Sequence, residues 1–205
     1  MNVLTIPTKR EYTDFTALKD PALPIGTIAT VDLKDGKSAD FILVEKNVYG
    51  ATNVFVNADG NAFGELPMYD TPTRGVCYAE SDRVKQLEEI LEQFPDDLRD
   101  MMIEREIVQN VRGKRSSVVA KLWTPSTTEV FGEGYNPCDV DDVHFSYFDT
   151  EKKRIIESDE RGTWYCFLRS PTPSYSTDFD ICNYYGNLYN NPASGANCVR
   201  CGFLL

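Results

Sequence analysis

The sequence predicts an α+β domain with two helices packed on short antiparallel sheets, and three observations predict it. Short β-branched runs bounded by turn residues fill the first quarter, a long central stretch carries apolar residues at spacings of three and four, and short apolar runs return before the end. No internal repeat or low-complexity linker interrupts the 205 residues, which divide into an extended N-terminal arm (1–25), a β-hairpin region (26–75) and one compact body (76–205). A chain of this length buries roughly 70% of its unfolded surface. A self-standing core is therefore expected.

The elements follow in order. Pro7, Pro21 and Pro24 keep residues 1–25 irregular or extended, an arm suited to crossing a second subunit. Residues 26–33 (GTIATVDL) and 39–44 (ADFILV) flank Asp35-Gly36, a strong hairpin signal. A further β-branched run, 48–56, is closed by the turn residues Asn57-Ala58-Asp59-Gly60. The helical region runs from about Ala79 to Ile107, with Val84, Leu87, Ile90, Leu91, Phe94, Leu98, Met101, Met102 and Ile103 on its apolar face. Ser81 suits an N-cap, Pro95 splits the stretch in two, and Asp96-Asp97 suits a second helix start. The Met and Leu stripe reads as core.

Residues 118–123 (VVAKLW) read as a strand running into Thr124-Pro125-Ser126-Thr127-Thr128-Glu129, where Ser-x-x-Glu is a capping box for a short helix ending near Gly132. Residues 134–142 are acidic and turn-rich, and with aromatic 144–148 and basic 152–154 they form an ordered loop excursion. Residues 163–169 (TWYCFLR) read as a buried strand, 179–185 as another, and 197–205 as a terminal strand.

Charge removes several function classes. With 21 basic against 32 acidic residues the net charge is −11 and the pI about 4.6, whereas a phosphate-reading surface needs a basic face. Arg112, Lys114 and Arg115 read as a solvated turn, so nucleic acid is not an expected partner. One histidine, His144, rules out a multi-histidine metal centre and leaves at most one imidazole for a triad. No apolar run reaches the roughly 20 residues that span a bilayer, and the first residues lack a secretory pattern. Membrane insertion is not expected, and synthesis in a cytoplasm is. The six cysteines should then be mostly reduced, with Cys77, Cys138, Cys166 and Cys182 as small core hydrophobes.

Three stretches together carry a family resemblance: Leu122-Trp123-Thr124-Pro125-Ser126 with Glu129-Val130, then 164–171 (WYCFLRSP), then Val199-Arg200-Cys201-Gly202-Phe203. In order and spacing they resemble a family of uncharacterised domains of Gram-positive bacteria and their phages and prophages. Members typically show Trp-x-Leu-Arg-Ser-Pro before a final Val-Arg-Pro-x-Phe-like strand. Here Trp164 stands farther from Leu168 than in that block, and Cys201 stands in the place of the proline. The resemblance covers residues 77–205, best from Val118 onward, and leaves 1–60 unsupported. It implies a branch of the C-type-lectin-like fold, in which the loops before the last strand form the ligand surface. Fold analogy alone does not supply function.

Several residues invite chemistry. Lectins of this fold that bind sugar through calcium carry Glu-Pro-Asn or Gln-Pro-Asp and Trp-Asn-Asp motifs, and neither is present here. Asp139, Asp141 and Asp142 offer oxygens to a hard cation, but they read as an acidic solvated loop. No metal and no cofactor is expected. Cys198 and Cys201 form C-x-x-C, a zinc half-site or a redox pair in other settings. Zinc would need further ligands from Cys166, Cys182 or His144, and an expected strand would point the two thiols to opposite sides. They read as structural. Their segment also faintly resembles the cysteine site of formylglycine-generating enzymes. Arg169 reads as the anchor of a carboxylate such as Glu129 or Asp180, and Trp123 and Trp164 as core packing.

Residues 172–197 are the most informative, because Asn, Tyr and Ser make up 12 of the 26. Tyrosine supplies rigid amphipathic contact area while Ser and Asn adapt their hydrogen bonds, the mixture used in antibody paratopes. The ligand-binding residues expected are Tyr175, Asn183, Tyr184, Tyr185, Asn187, Tyr189, Asn190 and Asn191. With the resemblance, this implies a non-enzymatic virion protein, a capsid decoration or tail-tip module that contacts a host-surface glycan or protein. Its other partners would be virion proteins or copies of itself. Two alternatives stay open: a structural virion component whose tyrosine face is a subunit interface, and an oxidase using Cys198 and Cys201.

Overall fold

The computed structural model describes residues 9–11, 14–71, 77–158, 162–173 and 177–205. In chain order the strands of the first half are β1 (Lys9–Glu11), β2 (Ile28–Asp32), β3 (Ser38–Val48), β4 (Ala51–Asn57), β5 (Glu65–Leu66), β6 (Arg105–Val111) and β7 (Lys114–Ala120). The second half adds β8 (Asp139–Val140), β9 (Glu157–Ser158), β10 (Gly162–Thr163), β11 (Cys166–Pro171), β12 (Asp178–Cys182), β13 (Leu188–Pro192), β14 (Asn197–Cys198) and β15 (Gly202–Leu204). The α-helices are α1 (Asp82–Leu91), α2 (Asp96–Met101), α3 (Thr127–Phe131) and α4 (Glu151–Arg154). The chain is thus mixed α+β with mostly antiparallel sheets.

Two five-stranded sheets dominate, ordered β1-β2-β3-β4-β15 and β13-β12-β11-β14-β5, with a three-stranded sheet β7-β6-β8 beside them. The hairpin expected at Asp35-Gly36 joins β2 and β3 over five paired residues, and Asp35 Oδ1 accepts the Lys37 amide at 3.0 Å. Residues 48–56 are not one strand. β3 continues through a bulge between Leu43 and Glu45 to Val48, and the chain turns at Tyr49-Gly50 into β4.

Pro95 divides the helices as its missing N–H requires. Leu87, Ile90, Phe94 and Leu98 are buried, and the Phe94 ring lies 5.6 Å from Phe41 and 6.2 Å from Phe203. Full burial of each such ring contributes about 1.5–3 kcal/mol of transfer free energy. The helical stretch does not reach Ile107. It stops at Met101, and Arg105, Ile107, Gln109 and Val111 alternate inward along β6, which pairs with β7 over seven residues. Long-range pairing overrides the three-and-four spacing there. Ser81 precedes α1, but its hydroxyl donates to the Tyr78 carbonyl at 2.6 Å instead of capping the helix.

Residues 9–11 pair parallel with β2, and Phe15 and Leu18 join the core. Asn53 Nδ2 donates to the Leu18 carbonyl at 2.6 Å. That core cluster draws on all three stretches into which the sequence was divided. The terminal strand expected over 197–205 is broken in two: β14 pairs with β5 and β11 in one sheet, and β15 pairs with β4 in the other. Residues 199–201 carry the chain between them. Gly202 then passes between β4 and Trp123, where a Cβ would lie 2.9 Å from the Phe55 carbonyl oxygen, and it exchanges both backbone bonds with Trp123 at 2.8 and 3.1 Å.

Candidate functional site

The β12–β13 hairpin presents the tyrosines. Its strands pair over five residues, and Asn183 organises the turn, its Oδ1 accepting the amides of Tyr185 (2.9 Å) and Asn187 (3.0 Å). Gly186 adopts a φ of 80°, and a Cβ there would lie 2.1 Å from the Glu151 carbonyl oxygen. Only glycine lets the turn press this closely against the start of α4. Tyr184 and Tyr185 are held outward, with ring centroids 4.1 Å apart, and Tyr165 meets Tyr184 edge-on at 5.2 Å. The relative exposures of Tyr165, Tyr184, Tyr185 and Tyr189 are 42%, 37%, 62% and 64%. A shallow depression of about 230 Å³ lies among Tyr165, Ile181, Tyr189, Asn190 and Asn191.

The expected ligand residues divide by what else they do. Tyr184, Tyr185 and Tyr189 expose their rings, and Asn187 is exposed. Asn183 is occupied by the turn, Asn190 Nδ2 donates to Asp178 Oδ2 at 2.7 Å, and Asn191 Nδ2 donates to Asn197 Oδ1 at 3.3 Å. Tyr175 lies outside the described residues. Sequence reasoning missed Tyr165, read as part of a buried strand. It precedes β11 and is exposed. The aromatic side chain next to the inward Cys166 was the available signal, since neighbours in an extended chain point to opposite sides.

A buried ionic centre forms around Glu129, Arg105, Arg169 and Asp142. The capping box at Ser126 forms as expected, with Ser126 Oγ accepting the Glu129 amide at 3.0 Å and Glu129 Oε2 accepting the Ser126 amide at 2.8 Å. Glu129 also accepts from Arg169 Nη1 (2.7 Å), Trp123 Nε1 (3.3 Å), Tyr49 Oη (3.1 Å) and Arg105 Nη1. Of the two carboxylates considered for Arg169, the structure selects Glu129. Asp180 is instead held by Thr127, Thr172 and Asn136. Asp142 closes the network, accepting from Arg105 Nη2 and Arg169 Nη2, each at 2.6 Å.

The acidic segment is therefore not a solvated loop. The Asp142 side chain is 2% exposed, and Asp139 accepts from Ser170 Oγ and the Thr128 amide. Asp141 alone of the three aspartates is exposed. The basic side chains that compensate Asp142 come from β6 and β11, which a local reading of the loop does not contain. Burial opposes ionisation of Glu129, but Arg105, Arg169 and the Ser126 amide outweigh it and bring its pKa down to about 2. Burial pushes Asp142 up to about 6 against the pull of Arg169, with the Glu129 charge acting in the same upward direction. Burial likewise raises Asp139 and Asp180.

All six cysteines are free and buried. Cys198 lies in β14 and Cys201 in the crossover, both with 0% exposure, and burial pushes the Cys201 thiol up to about 12. Trp123 is fully buried, while Trp164 is half-buried against Ile156, Cys166 and Cys198. Among the described residues no cluster of three or more His, Cys, Asp or Glu could hold a metal ion, and no helix is long and apolar enough to cross a membrane.

A family model described as a domain of unknown function (DUF6273) matches residues 42–205. The match reaches back into β3, well before the residues from which the resemblance was read. No curated protein and no solved structure gives a significant match.

Proposed function

Because the chain belongs to the DUF6273 family of domains of unknown function, we propose from its own residues that it is a non-enzymatic recognition module. On this reading it is C-type-lectin-like, is carried on a phage or prophage particle as a decoration or tail-tip protein, and contacts a host-surface glycan or protein. The observation that carries the reading is the outward cluster of Tyr165, Tyr184, Tyr185 and Tyr189 on one hairpin and the adjoining strand end. Four partly exposed aromatic rings are costly to leave in water without a partner, and tyrosine on a rigid scaffold loses little entropy on binding. An oxidase gains no support from two cysteines without solvent access.

The test is binding of fluorescently labelled protein to intact Gram-positive cells and to a glycan array, for the natural chain and for Tyr184→Ala, Tyr185→Ala and Tyr189→Ala combined. The triple variant is expected to bind at least about tenfold more weakly, with its melting temperature retained. Binding unchanged by the triple variant refutes the proposal. If the chain instead forms an oligomer by light scattering that the same substitutions dissolve, the tyrosine face is a subunit contact and the structural reading replaces it.

A further inference from the structure

The side of the first sheet that faces away from Phe41 and Phe55 is incompletely covered. Ile28, Ile42 and Val56 stand in register across β2, β3 and β4, and the 3-10 turn Ser146–Phe148 and α4 border the space above them. A cavity of about 540 Å³ remains, walled by these aliphatic side chains, Phe148 and Ile155. This volume is in the range of small-molecule sites, roughly 300–1,000 Å³.

Its charges run against those of the molecule. In a chain of net charge −11, the cavity is lined by Arg200, Lys152 and Lys153 and by one carboxylate, Asp40, which accepts from Thr30 Oγ1 at 2.7 Å. Lys153 also pairs with Asp149 at 3.0 Å. Arg200 is 1% exposed, and among the described residues its Nε and Nη1 have no hydrogen-bond partner. Its guanidinium lies 5.5 Å from the Phe148 ring centroid, and among the described residues no carboxylate pairs with it. A buried guanidinium without a counter-ion is costly to maintain, in contrast to Arg105 and Arg169, which share two carboxylates. An anion in the adjoining cavity supplies what Arg200 lacks.

We propose that this cavity binds a small amphipathic carboxylate, with the head group on Arg200, Lys152 and Lys153 at the mouth, and the apolar body against Ile28, Ile42 and Val56. The aliphatic walls, together with the Asp40 carboxylate that offsets part of the charge of the three cations, suit a monoanion with an apolar tail better than a compact, doubly charged phosphate. The site is separate from the tyrosine hairpin and stands or falls independently of the function proposed above.

The experiment is isothermal titration calorimetry of the full chain with sodium decanoate, using decanol and inorganic phosphate as comparison probes. Saturable one-to-one binding of decanoate is expected, at least about tenfold tighter than either comparison probe. Arg200→Met keeps the bulk and removes the charge, and it is expected to weaken decanoate binding by at least about tenfold. Lys152→Glu with Lys153→Glu, both at exposed positions, is expected to weaken it about threefold or more, and less at high salt. Should Arg200→Met fail to fold, the lysine double variant decides. Absence of saturable decanoate binding overturns the proposal, as does decanol binding equally well or affinity unchanged in the variants that fold.

Discussion

Replacing Glu129 by glutamine tests the ionic centre directly. The carboxylate has no solvent exposure and accepts from Tyr49, Arg105, Trp123, the Ser126 amide and Arg169. Glutamine keeps the shape but leaves two buried guanidiniums against Asp142 alone, and its amide NH2 must face donors on whichever side it is placed. Removing one member of a buried, hydrogen-bonded ion pair costs about 3–5 kcal/mol. At about 2–4 °C per kcal/mol for a chain of this size, the melting temperature should fall by about 6–20 °C. Thermal and urea unfolding followed by circular dichroism measure it. Adding Arg105→Met restores charge balance between Arg169 and Asp142, so the double variant should lose less than the sum of the two single losses. A fall of less than about 2 °C for Glu129→Gln, or single losses that add within about 0.5 kcal/mol, refutes this account of the network.

Two further outcomes follow from the same burial. The folded pKa of Asp142 lies above its unfolded value, so the native state binds more protons between about pH 4 and 6 and stability rises as pH falls through that window. The Glu129 pKa is depressed, so its contribution is present above about pH 4.5 and is lost towards pH 2. Melting temperature should therefore be higher at pH 5 than at pH 7 and fall steeply below pH 4, and a steady decline from pH 7 to 5 contradicts this. The six buried cysteines, none of them in a disulfide, should resist iodoacetamide in the native protein and all react in denaturant. Rapid native labelling of Cys198 or Cys201 contradicts their placement.

What the sequence determined by itself was local. The Asp35-Gly36 hairpin, the break at Pro95, the capping box of Ser126 and Glu129 and the end of α3 at Gly132 each depend on residues within a few positions of one another, so short-range chemistry was enough to read them. A contact surface was suggested on equally local grounds, through an Asn, Tyr and Ser composition suited to adaptable recognition, and Tyr184, Tyr185 and Tyr189 are exposed. Only the tertiary structure decided the rest. Residues 105–111 became a strand because β7 and β8 pair with them, and the chain end divided between two sheets because β4 and β11 each offered an open edge. Asp142 moved from an expected solvated loop to a buried ion pair because its arginines arrive from positions 37 and 27 residues away. Arg200 shows the same limit. Its sequence neighbours reveal neither that among the described residues no carboxylate comes to meet it nor that a cavity opens beside it, since both depend on how α4 and the first sheet are brought together.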